Sequence, residues 1–197
     1  MKKKDGAWLE RAATAENQWV RAVILKKDHI AHGDARNIAL NASEMAKNAL
    51  GTSHTQYGVA LLNLGLYFEV IENKREEASH QYLLARQRLG NDHPEYAEAM
   101  YWLGVYQFSE GNAKDRAVEV WGEALNILRQ LPEKSERMAD LLICISCFYI
   151  DDQPKKAAQQ LQEALEIQRK KLGPRHAAVR DTEIRLAAAL RTAGAMK

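Results

Sequence analysis

A unit of 39 residues, built of two amphipathic helices, recurs along this chain. Its clearest copy spans residues 93–128, HPEYAEAMYWLGVYQFSEGNAKDRAVEVWGEALNIL, in which Gly111 joins the two helices. The segment before it superposes at an offset of 39 with these identities: His54 and His93, Leu64 and Leu103, Gly65 and Gly104, Tyr67 and Tyr106, Ala78 and Ala117, and Ala85 and Ala124. Self-similarity at a fixed period predicts an array of helix pairs, each of which packs on its neighbours.

More diverged copies lie on both sides of these two. Two periods back, Gly33, Ala39 and Ala46 stand where the clearest copy has its joining glycine and its two alanines. Further on, EALEI at 163–167 matches EALNI at 123–127. We therefore predict one helical repeat domain over 7–197 after a disordered basic start at 1–6. Its helix pairs are expected at about 7–50, 54–89, 93–130 and 134–171, followed by a closing helix at 175–193.

The helix ends carry recognisable signals. Gly33 and Gly51 suit C-terminal caps of the first and second helices, and Pro154 suits a first helical turn. Ser53, with Gln56 three residues later, predicts a capping box at the start of the third helix. Three histidines recur at one position of the repeat, near helix starts: His54, His93 and His176. We expect them to cap helices or to pack in the linkers rather than to act in catalysis.

A helix-turn-helix unit of about 40 residues with Leu-Gly, a nearby Tyr and two alanines seven residues apart resembles the tetratricopeptide repeat (TPR). The segment LGNDHPEYAEAMYWLGVYQFSEG is similar to the linker and first helix of the long repeats of kinesin light chains. The resemblance implies an all-α, right-handed α-solenoid of antiparallel helix pairs, about nine helices in all, that ends in a closing helix. The glycine and the alanines would be small because helices approach closely where they lie.

Composition argues against several classes of partner. The net charge is only +2, and the lysines and arginines are scattered, so the basic patch of a nucleic-acid binder is missing. Neither a leader-like apolar run after the opening MKKK nor a run of about 18 apolar residues occurs. We therefore expect a cytoplasmic protein that binds neither nucleic acid nor membrane.

Candidate chemical groups are few. Cys144 and Cys147 have the Cys-x-x-Cys spacing, but they lie in mid-helix by pattern, and a zinc site needs further ligands. His29 and His32 could share a metal ion, although Asp28 and Asp34 are the only carboxylates close by in sequence. No phosphate loop, nucleophile elbow or zinc-protease motif is present. We predict a non-enzyme without metal or cofactor.

The family resemblance implies a concave groove lined by the first helix of each pair. The groove positions that we expect to contact a partner are Asn63, Leu66, Glu98, Tyr101, Trp102, Val105, Asp140 and Arg185. Tyr101 and Trp102 would anchor a peptide, because aromatic rings offer large contact areas at low entropy cost. For each of the two rings, the alternative is a core contact between helices. Trp8, Trp19 and Trp121 are predicted to lie in the core.

The function that these features favour is a non-catalytic adaptor that holds a peptide or a partner protein in its groove. A clamp for a C-terminal carboxylate is less favoured, because only Asn63 and Arg185 could contribute to it. Two alternatives stay open: a regulatory sensor that responds to a ligand or peptide, and a self-assembling scaffold. In the scaffold, the N-terminal helix of one copy would dock on the closing helix of another, giving a homo-oligomer through the terminal repeats.

Overall fold

The computed structural model describes residues 2–26, 32–90, 93–109 and 113–195. Nine helices hold most of these residues, and none of the described residues lies in a strand. The helices are α1 Lys2–Lys26, α2 His32–Leu50, α3 Thr55–Val70, α4 Arg75–Arg88, α5 Pro94–Ser109, α6 Lys114–Gln130, α7 Glu136–Tyr149, α8 Pro154–Leu172 and α9 Ala177–Ala195. The prediction of an all-α protein built from consecutive helix pairs is confirmed.

Two helix ends differ from the prediction. Helix α1 begins at Lys2, so residues 2–6, expected in a disordered start, are helical. Helix α2 begins at His32, which places Gly33 in its first turn rather than after the end of α1. The joining residue Gly111 lies outside the described residues.

Two predicted helix-end signals are present as expected. Gly51 follows α2 with a φ of +89°, a conformation that side chains rarely adopt, and its N–H donates to the Lys47 carbonyl at 3.0 Å. Pro154 is the first residue of α8, where the missing N–H has no intrahelical acceptor to serve. Glycine caps and N-terminal prolines are local features, which is why the sequence alone reveals them.

The three recurrent histidines cap helices. Each lies directly before a helix, and its Nδ1 accepts the backbone N–H two residues on, at 3.2 Å in every case: His54 before α3, His93 before α5 and His176 before α9. Their predicted role in capping is confirmed. The predicted Ser53–Gln56 capping box is wrong, because the cap of α3 is His54, one residue later, and the Gln56 side chain instead accepts a hydrogen bond from Asn17.

The chain divides into two compact units, residues 1–106 (unit 1) and 107–197 (unit 2). In unit 1, α1 packs on α2 and α3, α2 packs on α3, and α3 packs on α4. In unit 2, α6 packs on α7, α7 on α8, and α8 on α9. Neighbouring helices are therefore the main packing partners in both units. That all of 7–197 forms one repeat domain stays a prediction.

Small residues lie where the helices meet. A Cβ atom added to Gly65 on α3 would come within 2.5 Å of the buried ring of Tyr82 on α4. The paired alanines of the second helices are all buried: Ala39 and Ala46, Ala78 and Ala85, Ala117 and Ala124, and Ala157 and Ala164. The predicted role of the repeat's small residues in close packing is confirmed at these positions.

Replacing Gly65 by alanine should destabilise the protein by about 1–3 kcal/mol, because the added methyl group overpacks the contact with Tyr82. The matched control is Gly122→Ala in α6, where an added Cβ meets nothing within 4 Å. This change should stabilise the protein by about 0.5–1 kcal/mol through helix propensity. Urea unfolding followed by circular dichroism measures both effects, and equal shifts in the two variants would contradict the packing role.

A charged cluster closes the turn between α3 and α4. The buried Tyr67 hydroxyl donates to Glu72 at 2.7 Å, Lys74 pairs with Glu72 at 2.6 Å, and Arg36 of α2 approaches to 3.8 Å. Burial, followed by the Glu72 hydrogen bond, raises the pKa of Tyr67 from 10.0 to about 12. Hydrogen bonds from Lys74 and then from Tyr67 lower the pKa of Glu72 from its ordinary value of 4.5. The cluster therefore favours the charged carboxylate and the neutral phenol.

Replacing Glu72 by glutamine should cost about 1–2 kcal/mol of stability at pH 7, as expected for hydrogen bonds to a charged group. Since the pKa of Glu72 in the folded state lies below 4.5, its contribution is present above that pH and is lost as the pH falls through the folded value. Urea unfolding at pH 7 and pH 3 should therefore show a smaller difference from wild type at pH 3 than at pH 7. Glu119→Gln, at an exposed position on α6, serves as the control, and an equal loss at both pH values would refute the assignment.

Candidate functional site

The predicted groove residues belong to both units, with Asp140 and Arg185 in unit 2 and the others in unit 1. Asn63 and Leu66 on α3 are each only 1% exposed, so a partner cannot reach them. These two assignments need correction. Helix α1 packs on α3, and the side chains that face it belong to the interior of the unit rather than to an open groove.

The buried side-chain amide of Asn63 is hydrogen-bonded to α1. Its Nδ2 donates to the Asn17 carbonyl of α1 at 2.9 Å, and its Oδ1 accepts from Arg21 Nε at 3.0 Å. Buried amides require such partners, since leaving one unpaired costs free energy. Asn63 therefore joins α3 to α1, and its buried amide is not open to the carboxylate of a partner.

The predicted anchor residues, Tyr101 and Trp102, form an aromatic cluster with Tyr82 of α4. Trp102 stacks on Tyr82 of α4 with ring centroids 6.1 Å apart, and it meets Tyr101 edge to face at 5.2 Å. Its indole Nε1 donates to Glu98 at 2.9 Å. Tyr101, Trp102 and Glu98 are all partly exposed. Trp102 thus makes a core contact and still presents surface to the outside.

A row of polar residues, which the sequence analysis did not single out, connects three first helices. Asn17, Gln56 and Glu95 follow each other at an offset of 39, so they occupy one position of the repeat. Asn17 Nδ2 donates to the backbone carbonyl and to the Oε1 of Gln56, both at 3.0 Å. A comparison of polar residues at each repeat position would have found this row from the sequence.

Arg21 of α1 extends the row to α5. Its Nη1 and Nη2 each lie 2.7 Å from a different oxygen of Glu95, and both side chains are 25% exposed. Nη1 donates a hydrogen bond to Glu95, and Nη2 adds a close charge contact that completes the ion pair. The pair joins two helices whose contacting residues lie 74 positions apart in sequence.

A cavity of about 130 Å³ lies beside this pair. Its lining comes from α1, from α3 and from the start of α5: Thr14, Asn17, Gln18, Arg21, Gln56, Val59, His93 and Glu95. Glu95, Glu98 and Trp102 lie three and four residues apart, so they share one face of α5. We call this surface the α1–α3–α5 face, defined by its partly exposed residues Arg21, Gln56, Glu95, Glu98 and Trp102.

The predicted contacts of unit 2 lie on α7 and α9. Asp140 is paired with Arg137 at 2.9 Å, one turn earlier on α7. Arg185 is exposed and donates to Cys147 Sγ at 3.5 Å. Cys144 and Cys147 are partly buried thiols of α7 that form no disulfide; Cys144 lies in the middle of the helix, as predicted, whereas Cys147 lies in its last turn.

A larger cavity, of about 450 Å³, lies in unit 2 between the α6–α7 linker and the end of α8. Two of its lysines pair with glutamates, Lys171 with Glu133 at 3.2 Å and Lys134 with Glu163 at 3.6 Å. Exposed pairs of this kind contribute little energy. None of the predicted groove residues lines this cavity.

Two of the tryptophans assigned to the core lie on the surface instead. Trp8 is 63% exposed and Trp19 is 49% exposed, because no described helix packs on that side of α1. Trp121 is buried as predicted, and its ring lies 5.5 Å from that of Phe108. Periodicity marks the apolar face of a helix, but it does not show which apolar face acquires a neighbour.

The described residues contain no group of three or more His, Cys, Asp or Glu side chains that could hold a metal ion. His29 and the side chain of His32 lie outside them. No helix in the described part of the chain is long and apolar enough to cross a membrane.

Comparison with solved structures identifies the fold. Two structures of a kinesin light chain candidate from Podosopora anserina with nearly identical TPR-like repeats superpose with TM-scores of 0.67 and 0.66, at 16% identity, over 92% of this chain and 86% of theirs. BtubC (BKLC) from P. vanneervenii superposes with a TM-score of 0.72 at 18% identity, over 98% of this chain and 84% of its own. This chain has the TPR-like repeat fold. No family model and no curated protein matches its sequence.

The predicted resemblance to TPR arrays is therefore confirmed at the level of the fold. So is the all-α solenoid of helix pairs. Sequence identities below one fifth leave the function to be argued from the surface itself.

Proposed function

We propose that this chain is a cytoplasmic, non-catalytic adaptor that binds a peptide or a partner protein on the α1–α3–α5 face of unit 1. TPR-like repeats are generally used for protein interaction, and stacked repeats offer extended binding surfaces. The observation that carries the proposal is the line of partly exposed Glu95, Glu98 and Trp102 on α5, of which Glu95 also lines a small cavity.

Aromatic and charged groups on this face suit peptide recognition. Trp102 and Tyr101 offer rigid apolar area, whereas Glu98 is held in place by the indole N–H. Aromatic residues are enriched among those that dominate binding energies. Val105, which is partly exposed on α5, stays a proposed contact. In unit 2 the partly exposed Asp140 and the exposed Arg185 stay proposed contacts.

Selection of random 12-residue peptides on the full chain, followed by fluorescence polarisation, tests this proposal. Tyr101→Ala combined with Trp102→Ala should raise the Kd of the selected peptides by about tenfold or more, since the aromatic anchor is lost. Tyr101→Ala alone keeps the Trp102–Tyr82 stack, so it separates lost contact from lost folding.

The matched control is Leu83→Ala, an exposed apolar residue of α4. It should leave the Kd unchanged, and circular dichroism should show native helix content in every variant. A selection that yields no binders, or binders insensitive to both aromatic substitutions, would remove the α1–α3–α5 face as the binding surface.

A second candidate, self-association, is favoured by the outer face of α1. Trp8, Ala15, Trp19 and Ala22 recur at seven or eleven residues, so they form one stripe along the helix, and all four are exposed. An exposed apolar stripe of this kind marks an interaction surface. On this proposal a second copy of the chain covers the stripe.

Sedimentation equilibrium of the full chain should then show a mass that rises with concentration toward twice 22.3 kDa. Trp8→Lys combined with Trp19→Lys should abolish the rise, because two charges would be buried at the contact. Leu83→Lys on α4 should leave it intact. A mass of one chain at all concentrations would refute this candidate and leave the peptide-binding proposal untouched.

A further inference from the structure

One acceptor in the cavity of unit 1 has no partner among the described residues. Asn17 is only 3% exposed, and its Nδ2 is hydrogen-bonded to Gln56, but its Oδ1 is buried without a donor. A buried carbonyl oxygen left unpaired is costly, and native structures contain few of them. Because Asn17 also lines the cavity, a donor placed there would satisfy this oxygen.

The cavity also presents donors. His93 Nδ1 accepts the Glu95 N–H, so a neutral His93 carries its proton on Nε2, and that group can donate. Gln18 adds an amide, which can donate or accept. The charges of Arg21 and Glu95 neutralise each other in their ion pair. The lining is therefore uncharged overall, with an acceptor on α1 and a donor at the start of α5.

These properties discriminate among side chains. An ammonium group carries only donors, so it would leave the His93 donor unmatched and lie near the Arg21 guanidinium. A carboxylate carries only acceptors, so it would leave Asn17 Oδ1 unpaired. An apolar group would satisfy neither. A primary carboxamide has one NH₂ for Asn17 Oδ1 and one carbonyl oxygen for a donor such as His93 Nε2.

The size of the cavity agrees with such a group. Its volume of about 130 Å³ is roughly four times the share of one water molecule in the liquid, about 30 Å³. It can therefore accept one short side chain, but not a whole peptide segment. Val59 and the carbon atoms of the longer lining side chains supply apolar surface, against which the methylene groups of that side chain can pack.

We infer that this cavity binds the primary carboxamide of a glutamine or asparagine side chain. The inference rests on the proposed function in one respect, namely that the carboxamide belongs to the partner bound on the α1–α3–α5 face. The Asn17 oxygen accepts from the carboxamide NH₂, and the carboxamide oxygen accepts from the His93 side. Such a pocket selects glutamine over residues of similar length, because every mismatched group leaves a buried polar atom unpaired.

The first test uses N-acetyl-glutamine methylamide and the ¹⁵N-labelled full chain. The probe should shift the Asn17 side-chain amide signals saturably, with a Kd of about 1 mM, as expected for a ligand of this size. N-acetyl-methionine methylamide, which has a similar length but no amide head, should cause no saturable shift. Neither should the corresponding lysine compound.

Two variants locate the binding. Val59→Met fills the cavity without removing a polar group and should raise the Kd of the glutamine probe about tenfold or more. Val70→Met makes the same change at the end of α3, outside the cavity lining, and should leave the Kd unchanged. No saturable shift at ten times the expected Kd would mean that the cavity takes only water, and this overturns the inference. Equal binding of the methionine or lysine probe overturns it as well.

The 12-residue peptides selected on the full chain distinguish failure of this inference from failure of the proposed function. A fixed glutamine or asparagine among them, whose replacement by methionine weakens binding to wild type but not to Val59→Met, supports the inference. Peptides that depend on Trp102 but show no such residue overturn the carboxamide assignment alone. If the free probe binds and no peptide does, the carboxamide pocket stands and the adaptor proposal fails.

Discussion

The contact between the Tyr82 ring and the backbone at Gly65 is the constraint on which unit 1 depends. The missing Cβ lets α4 approach α3 until the ring lies against the helix. The same ring stacks on Trp102 of α5, whose indole N–H positions Glu98. A packing residue of one repeat thus sets the place of the aromatic side chain that the next repeat presents at its surface.

The repeat register supplies the second organising element. Positions separated by 39 residues lie side by side on successive first helices, as the hydrogen bond from Asn17 to Gln56 shows. The copies carry different side chains at one repeat position, and these differences determine which groups each first helix presents. Arg21 is the clearest case, because the positions one and two periods later hold the buried Ala60 and Ala99. Where the later copies are small, the first copy carries a side chain long enough to reach both Asn63 and Glu95.

The likeness to TPR-like structures at 16–18% identity follows from this division of roles. Close helix packing restricts only a few positions to glycine or alanine, while most of the remaining positions need only suitable polarity. The fold is therefore shared by chains with little sequence in common, and binding properties depend on side chains that the fold leaves free to vary. In this chain the side chains that vary among the copies include Asn17, Arg21 and Trp102.

The sequence by itself determined the helices, their order and their packing residues, because these depend on local propensity and on a repeat that recurs every 39 residues. Gly51, Pro154 and the capping histidines act through their immediate neighbours, so pattern alone revealed them. Only the tertiary structure decided that Asn63 is buried, that Trp8 and Trp19 are exposed, and that Asn17 borders a cavity. These outcomes depend on which face of α1 meets α3 and α5, through contacts that join residues 39 to 74 positions apart, and no local pattern specifies such a meeting.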